Sequence, residues 1–401
     1  MPELFTVLTP SDAIQRLFDH TPSVVSAELV PLHEALDRVT AELPVAPGAL
    51  PAFPRSAMDG YAVRAADTFG ASESLPAYLT VVGESPMGRA PAFEIGKGQA
   101  VVIHTGGMLP KGADGVVMIE RTQKARENEI EVLRAIAVGE NVIQIGEDVK
   151  AGEALLPTGH RLRPQDLGGL AAAGITQVRV ARRPRVAILA TGDEVVPADK
   201  EPAPGQVRDA NTYSLAGLVR RAGGIPIPCG IVPDDFDALV HAARAALDEG
   251  DALALSAGSS VSARDMTSQV IDRLGKPGVL VHGVSIKPGK PTILAVCDGK
   301  PVFGLPGNPV SVLVVADLFL TPTLWRMQGL AEPMTIRSVR ARLARNVAST
   351  PGREDYIQVK LVERDGELWA EPIFGKSNLI FTLVKADGLM VVPLDANGVH
   401  E

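Results

Sequence analysis

The sequence predicts a multidomain α/β and β protein with four parts: a central three-layer α/β domain on a parallel sheet, a small β domain, a helical/β connecting domain and a C-terminal β-barrel-like domain. Between residues 185 and 327, apolar runs alternate with amphipathic helical patterns. This alternation is typical of a parallel sheet covered by helices on both faces. On either side, short apolar runs are separated by Gly, Pro and charged turns, as in small β domains. A length of 401 residues leaves room for two to four domains.

The first predicted element is a helix that begins after Thr9. The Thr9 hydroxyl can cap the helix, Pro10 suits the first helical position, and Asp12 places a negative charge in the first turn. The apolar residues between 13 and 18 then fall on one face. We therefore expect this helix to pack against a core.

A second helical pattern covers residues 32–39, and the four prolines that follow between residues 44 and 54 indicate a domain boundary. Residues 56–145 have the pattern of the small β domain. Residues 146–179 form a connecting unit, with one helix of small residues predicted at 165–173.

The central unit combines predicted strands at 186–190, 225–232 and 252–255 with helices at 211–222, 236–247, 265–274 and 309–327. Alternation returns in predicted strands at 336–343, 356–362 and 367–372. The expected domains are residues 1–22 with 181–330 (α/β), 23–45 with 146–180 (connecting), 46–145 (small β) and 331–401 (C-terminal β).

Composition excludes several classes of function. A net charge of -8 argues against a nucleic-acid binder, which needs a basic face. The two cysteines, Cys229 and Cys297, lie in apolar stretches and make no disulfide framework, and the histidines lack zinc-site spacing. The first residues lack a signal-peptide pattern, and the longest apolar run is interrupted by Asp317. We expect a cytoplasmic protein without a membrane segment, in which any metal ion is bound by oxygen.

Ligands of open parallel sheets bind where strands end and helices begin. The loop after the first central strand contains Thr191, Gly192, Asp193 and Glu194. The loop after the third contains small residues that let backbone amides approach a phosphate, namely Ser256, Gly258, Ser259 and Ser260. Simple helix caps and a flexible turn are the alternative interpretations.

Two further loops suit anions. Lys287 and Lys290 stand on a proline-stiffened turn that can capture a polyanion, although a solvated lysine turn is the alternative. In the second loop, Asn308 can cap a helix whose first residue is Pro309, so that the positive helix end faces an anion, although a rigid cap alone is the alternative.

Acidic residues lie close to these loops in the sequence. They are Asp193, Glu194, Asp234 and Asp265. Carboxylates beside a phosphate site commonly hold magnesium, which neutralises a pyrophosphate. The residues by themselves therefore indicate a phosphorylated substrate and a hard divalent metal. Asp59 precedes a glycine in the small β domain, and this local pattern alone indicates an ordinary turn residue.

Five segments carry a resemblance to a known family. They read SAMDGYA at 56–62, TGGMLPKGAD at 105–114, ATGDEV at 190–195, KPGKP at 287–291 and GLPGNPVS at 304–311. In this order they resemble the molybdopterin molybdenumtransferases, which include the gephyrin E domain. The resemblance implies an elongated homodimer of four-domain subunits, in which the connecting domain takes part in dimerisation. The α/β domain is then expected to bind molybdopterin, in a cleft that includes the first β domain of the partner subunit. The resemblance also implies that adenylylated molybdopterin and molybdate react with Mg²⁺ assistance, so that molybdenum is placed on the dithiolene sulfurs and AMP is released.

Carried over by motif, the resemblance implies the catalytic residues Asp59, Asp148, Glu194, Asp234, Asp265 and Lys287, with Asp265 as the metal ligand. It implies the substrate-binding residues Thr105, Thr191, Gly192, Asp193, Ser256, Gly258, Ser259, Ser260, Lys290, Pro306, Gly307, Asn308, Pro309, Ser311, Arg353 and Ser377. Arg353 and Ser377 are expected to meet molybdate, since a planar guanidinium suits a tetrahedral oxyanion. The chain departs from the family at 256–262, where SAGSSVS replaces a more glycine-rich loop, and at Gly283, where some members have lysine.

Two alternative functions belong to other classes. The first is a scaffold, since the gephyrin E domain also organises partners and fold does not determine activity. The second is a molybdopterin adenylyltransferase or pyrophosphatase-type nucleotide enzyme, since related α/β domains adenylylate molybdopterin. The acidic set favours an enzyme, and the two flanking β domains with the proline-rich loop favour metal insertion. A molybdopterin adenylyltransferase is then the expected substrate donor.

Overall fold

The structure is a computed structural model that describes residues 7–21, 25–257, 261–331 and 338–400, and for residues 261–265 it describes the backbone alone. Its first part contains α1 (Pro10–Phe18), β1 (Ala27–Pro31), β2 (Arg55–Ser56), β3 (Gly60–Val63), β4 (Ala77–Glu84), β5 (Gln99–Ile103), β6 (Gly115–Met118), β7 (Thr122–Arg126), β8 (Glu129–Val132) and β9 (Val142–Ile143). Short 3-10 turns occupy Leu32–Glu34, Ala65–Thr68 and Ile119–Arg121.

The middle part contains α2 (Pro164–Ala172), β10 (Gln177–Ala181), β11 (Arg185–Thr191), β12 (Val195–Val196), β13 (Val207–Arg208), α3 (Asn211–Arg221), β14 (Ile225–Val232), α4 (Phe236–Glu249), β15 (Ala252–Ser256), α5 (Val261–Leu274), β16 (Pro277–His282), β17 (Ile286–Lys287), β18 (Ile293–Cys297), β19 (Lys300–Leu305), α6 (Pro309–Val315) and α7 (Thr321–Met327). A π-helical turn, Ala316–Leu320, joins α6 to α7. The last part contains β20 (Arg342–Leu343), β21 (Val347–Ala348), β22 (Glu354–Arg364), β23 (Glu367–Pro372), α8 (Phe381–Val384), β24 (Gly388–Val392) and β25 (Gly398–Val399).

The first helix forms as predicted. The Thr9 hydroxyl accepts a hydrogen bond from the Asp12 backbone N–H at 3.1 Å, and α1 buries Ala13 and Leu17 in the α/β core. The predicted helix at 32–39 is wrong, because only one 3-10 turn forms there. Asp37 has a φ of 63°, and this left-handed conformation cannot continue a right-handed helix.

The central sheet has the strand order β14-β11-β15-β19-β18-β16. Its first four strands run parallel, as predicted, but β18 is antiparallel to both β19 and β16, so the sheet is mixed. A two-residue Asp298-Gly299 turn with positive φ at both positions joins β18 to β19. Such a turn matches the twist of an antiparallel hairpin, which explains the reversal.

Helices cover both faces of this sheet. On β11, Val186 and Ile188 point into a core with α3, α6 and α7, whereas Ala187 and Leu189 point into a core with α4 and α5. A strand buried on both sides explains the continuous apolar run in the sequence. By length and composition alone the helix Pro309–Met327 could cross a membrane, but 67% of its most apolar stretch is buried within the protein, as in a core helix.

Smaller sheets surround the central unit. The small β domain has the strand order β6-β3-β5-β4-β8-β7, and β1 pairs with β10 in the connecting unit. The C-terminal sheet has the order β17-β22-β23-β20, with β24 on β22. Strand β17 therefore leaves the α/β unit to join the C-terminal sheet. Of the strand predicted at 336–343, only Arg342–Leu343 forms within the part of the chain that the structure describes.

Candidate active site

Three parallel strands end side by side at one edge of the central sheet. Strand β15 lies between β11 and β19, and Thr191, Ser256 and Leu305 are at their carboxyl ends. A cavity of about 450 Å³, which we call the strand-end cavity, opens there. It is lined by residues that include Thr191, Glu194, Asn211, Ser256, Gly307, Asn308 and Pro309. This is the position at which open α/β sheets bind ligands.

Hydrogen bonds between two loops fix the position of acidic residues beside the strand-end cavity. The Thr191 hydroxyl donates to Asp234 Oδ1 at 2.8 Å, and the Asp234 backbone N–H donates to Asp193 Oδ1 at 3.2 Å. A Cβ on Gly192 would lie 2.7 Å from Glu194 Oε2, so the Glu194 carboxylate folds back over this glycine. The structure thus brings the predicted residues of the 191–194 loop together with Asp234.

Asn211 joins the other two loops of this cavity. Its side-chain Nδ2 donates to Ser256 Oγ at 2.8 Å and to the Gly307 carbonyl at 2.8 Å. The loops after β15 and β19 are therefore held by one amide at the start of α3. Asn211 is not among the predicted site residues, although an amide at the end of a strand-to-helix loop is a recognisable polar signal.

A second cavity of about 890 Å³, the oxyanion cavity, lies between the α/β unit and the C-terminal sheet. Strand β17 pairs with β22, which places Lys287 beside Asp355. Asp355 is 2% exposed and accepts a hydrogen bond from Arg353 Nε at 2.8 Å, while Lys287 Nζ lies 3.9 Å from its other oxygen. One buried carboxylate therefore orients two cations that line the cavity.

The loop before α6 forms another wall of the oxyanion cavity, which Pro306 and Ser311 also line. Asn308 occupies the N-cap position of α6, but the prediction that its side chain caps the helix is wrong. Its Nδ2 instead donates to Ser377 Oγ at 2.9 Å, and the Val310 backbone N–H donates to the Ser377 carbonyl at 3.0 Å. The C-terminal domain thus takes over part of the capping of this helix.

The lysine turn packs closely on α6. Gly289 has a φ of 109°, and a Cβ at this position would lie 2.4 Å from Val315 Cγ2. The Thr292 hydroxyl donates to the Gly289 carbonyl at 2.6 Å. Only glycine allows this approach, and it leaves Lys287 and Lys290 exposed on either side of the turn.

In the small β domain, two predicted motifs meet. The Gly106 backbone N–H donates to the Ser56 carbonyl at 2.8 Å, and Asp59 Oδ1 accepts hydrogen bonds from the Thr105 backbone N–H at 2.7 Å and from its hydroxyl at 3.1 Å. These two bonds, with His104 nearby, lower the pKa of Asp59 from its usual value of 3.8. Asp59 is therefore an exposed carboxylate in a fixed orientation.

Some predicted residues are not brought together. The predicted residues that line neither cavity are Asp59, Thr105, Asp148, Gly192, Asp193 and Asp234. The Asp148 side chain is exposed, and Asp234 is joined to the strand-end cavity only through its hydrogen bond with Thr191. Gly258, Ser259 and Ser260 lie outside the described residues, as does the side chain of Asp265 in α5. The α/β and C-terminal groups do gather: the two cavities share Gly307 and Asn308 and are therefore neighbours.

The donor set of the strand-end cavity fits magnesium in a limited way. Among the residues described here, no three His, Cys, Asp or Glu side chains form a group suited to a metal ion. Thr191, Glu194 and Asp209 line the cavity, and Asp234 lies beside it as the hydrogen-bond partner of Thr191. Magnesium commonly takes one or two protein carboxylates and completes its shell with water and substrate phosphates. These residues fit a magnesium ion bound together with a phosphorylated ligand.

Three family models match the chain in succession. Residues 8–174 match the MoeA N-terminal region (domain I and II), residues 187–326 match the Probable molybdopterin binding domain, and residues 340–401 match the MoeA C-terminal region (domain IV).

Individual proteins are similar over nearly the full length. The molybdopterin molybdenumtransferase of Nostoc sp. is 36% identical over 391 residues, with 96% of this chain and 89% of that protein covered. The molybdopterin molybdenumtransferase of Bacillus subtilis is 32% identical over 395 residues, with coverage of 97% and 91%. A crystal structure of the molybdopterin biosynthesis protein MoeA from Pyrococcus horikoshii OT3 matches with a TM-score of 0.85 at 34% identity, covering 98% of this chain and 97% of that one.

Proposed function

This chain belongs to the molybdopterin molybdenumtransferase family, and from that premise we propose that it transfers molybdenum from molybdate to adenylylated molybdopterin, with Mg²⁺-assisted release of AMP. Membership of the family makes the protein an enzyme of molybdenum cofactor biosynthesis that inserts molybdenum into molybdopterin. The adenylylated form of the substrate, the molybdate, the magnesium ion and the released AMP belong to the proposal.

The observation that supports the proposal best is the wall shared by the two cavities. Gly307 and Asn308 line both the strand-end cavity and the oxyanion cavity. A pyrophosphate held at the strand ends would therefore lie beside an oxyanion held between the domains. Holding two reactants in adjacent positions converts a bimolecular step into an effectively unimolecular one.

In the oxyanion cavity, Arg353 and Lys287 would bind molybdate by charge, and the Ser311 and Ser377 hydroxyls would complete the contacts. Asp355 keeps both cations aimed at the cavity. A dianion between two oriented cations needs little reorganisation on binding, which is how preorganised sites gain affinity. Lys290 and Pro306 line the same space.

At the strand-end cavity, Glu194 in the lining and Asp234 beside it, with Asp265 as implied by the family motif, would hold the magnesium ion. When bound there, magnesium would neutralise the pyrophosphate of the adenylylated substrate. Thr191 holds the Asp234 carboxylate in place through a 2.8 Å hydrogen bond. Asn211 donates hydrogen bonds to both Ser256 and Gly307, and so holds together the two loops that a phosphate-bearing ligand would contact.

We further propose a homodimer in which Asp59 and Thr105 complete the strand-end cavity of the partner subunit. The support is that both residues form an ordered acidic group that lines neither cavity of its own chain. The reaction would take place in the cytoplasm, with a molybdopterin adenylyltransferase as substrate donor.

The test is AMP release by the purified full-length protein from adenylylated molybdopterin. We expect AMP only when molybdate and magnesium are both present, because insertion and cleavage are coupled in the proposed reaction. Omission of molybdate, omission of magnesium and an Asp234→Ala variant are the matched controls.

Each alternative function gives a different result in this assay. AMP release that does not depend on molybdate would contradict metal insertion and favour a pyrophosphatase. A protein that releases no AMP under any condition, with Asp59→Ala and Asp234→Ala indistinguishable from wild type, would favour a scaffold.

A further inference from the structure

A third cavity, of about 350 Å³, has a strongly basic lining. It lies between the connecting unit, the end of α3 and the end of α7. Its lining includes Arg38, Arg161, Arg183, Arg220, Arg221 and Trp325. Asp37 is the one acidic residue among the lining residues. We call this the arginine cavity. The charge of its lining is positive, whereas the net charge of the whole chain is -8.

The arginine cavity shares no lining residue with the strand-end cavity or the oxyanion cavity. Helix α3 begins at Asn211, in the strand-end cavity, and ends at Arg221, in the arginine cavity. Eleven helical residues span roughly 16 Å at 1.5 Å per residue. Arg183 precedes β11, so the arginine cavity lies at the amino ends of the strands, whereas the predicted catalytic groups lie at the carboxyl ends.

Some of the arginine charge is already neutralised. Arg38 pairs with Glu28, Arg161 with Asp37 at 2.9 Å, and Arg221 with Asp317 at 2.8 Å. The carbonyl ends of α3 and α7 add partial negative charge.

Two arginines of the lining have no acidic partner among the described residues. Arg183 and Arg220 make no ion pair with any residue in the described ranges, and both side chains are exposed. The cavity therefore keeps a positive excess that no part of the described chain balances.

We propose that the arginine cavity binds a small phosphorylated anion, at a site distinct from the molybdenum-insertion site. Guanidinium groups bind phosphate through paired hydrogen bonds, and Arg183 and Arg220 have this capacity unused. The volume is at the lower end of the range found for small-ligand pockets. Trp325 adds an aromatic face beside the cations. The proposal uses none of the residues assigned to substrate binding.

Trp325 provides the signal for a direct test. The chain has two tryptophans, so Trp369→Phe leaves Trp325 as the only one. Inorganic pyrophosphate is titrated into this full-length variant at constant ionic strength while tryptophan fluorescence is recorded. We expect a saturable change in emission.

Two double variants in the same Trp369→Phe background locate the signal. Arg183→Ala with Arg220→Ala should weaken pyrophosphate binding by about tenfold or more, since two charge-assisted contacts are lost. Arg89→Ala with Arg340→Ala removes the same charge from exposed positions elsewhere and should bind as the parent does. Thermal unfolding of each variant confirms that it is folded.

Three results would overturn the proposal. They are a fluorescence change that does not saturate, equal binding by the Arg183→Ala/Arg220→Ala variant and its parent, and loss of the signal in a Lys287→Ala/Arg353→Ala variant. The last result would assign the pyrophosphate to the oxyanion cavity. Because molybdate-dependent AMP release is measured separately, failure here leaves the proposed function unaffected.

Discussion

At the scale of single residues, hydrogen bonds and ion pairs within the protein fix the orientation of side chains that line the two cavities. Asp355 is buried and orients Arg353 and Lys287, and Asn211 links two loops with one amide. Such supported groups bind with little loss of conformational freedom. The role of Asp355 had no signal in the sequence, because it depends on the pairing of β17 with β22.

The role proposed for Arg353 can be tested by Arg353→Ala. We expect the KM for molybdate to rise about tenfold or more, because a charge-assisted contact to the oxyanion is lost. Binding of adenylylated molybdopterin, measured by calorimetry, should change little. The control is Arg364→Ala, at the other end of β22, where the arginine pairs with Glu371 outside both cavities. Equal loss of molybdate and nucleotide binding in Arg353→Ala would contradict the assignment.

The hydrogen bonds to Asp59 predict a shift in its titration. Thr105→Val removes the hydroxyl bond but keeps the backbone N–H, so the pKa of Asp59 should rise toward 3.8 from its lowered value in the wild type. Since a lowered pKa keeps the carboxylate ionised in weak acid, the variant should become protonated at a higher pH than wild type. NMR titration of the Asp59 carboxyl carbon measures this directly.

Thr80→Val, at an exposed position on β4, is the matched control for that titration. If the acid limb of enzyme activity depends on Asp59, it should move to higher pH in Thr105→Val and stay in place in Thr80→Val. An unchanged Asp59 titration in both variants would mean that the hydroxyl contact has no electrostatic effect.

At the scale of elements, periodicity predicted long helices and strands well and short ones poorly. The strand at Ile225–Val232 and the helix Pro309–Met327 begin and end where the sequence predicted. Two-residue strands such as β17 have no period to detect, since tertiary pairing alone creates them. The Asp298-Gly299 turn is a hairpin signal in the sequence, and it accounts for the antiparallel pair in a sheet that was predicted to be parallel. The helix predicted at 32–39 failed because a left-handed residue overrides an apolar pattern.

A comparison of two glycine-to-alanine variants can distinguish backbone strain from steric overlap at the lysine turn. Both Gly289 and Gly352 have positive φ, but only at Gly289 would a Cβ meet other atoms, while Gly352 faces open space. Gly289→Ala should therefore lower the free energy of unfolding by about 1–3 kcal/mol more than Gly352→Ala, since overpacking adds to strain. Urea unfolding of the two variants measures the difference. Equal losses would show that the contact with Val315 relaxes freely.

At the scale of the whole molecule, the predicted site is divided. The α/β and C-terminal domains place their groups in adjoining cavities, but the small β domain keeps Asp59 and Thr105 apart from them. Sequence motifs carried over from the family could nominate all of these residues, yet no local pattern says which chain supplies each one. The proposed dimer accounts for the division, and it makes a prediction that a monomeric enzyme does not.

Subunit complementation tests whether Asp59 and Asp234 of one active site come from different subunits. Asp59→Ala and Asp234→Ala should each be inactive alone, because each removes a group from every site. Mixed and reassorted subunits should recover roughly a quarter of wild-type activity, since half of the dimers are mixed and each mixed dimer has one intact site of two. The activity of the mixture is compared with each variant alone and with a mixture of two Asp234→Ala preparations carrying different affinity tags. Absence of recovery, with exchange of subunits demonstrated by the tags, would place both carboxylates in the same chain.

Strand β17 has a consequence for the proposed binding of the oxyanion. Lys287 is carried by a two-residue strand that pairs with β22, the same strand that carries Asp355 beside Arg353. If the C-terminal sheet loosens, both cations lose their orientation together. The proposed oxyanion contacts of Arg353 and Lys287 should therefore both weaken when the C-terminal domain separates from the α/β unit.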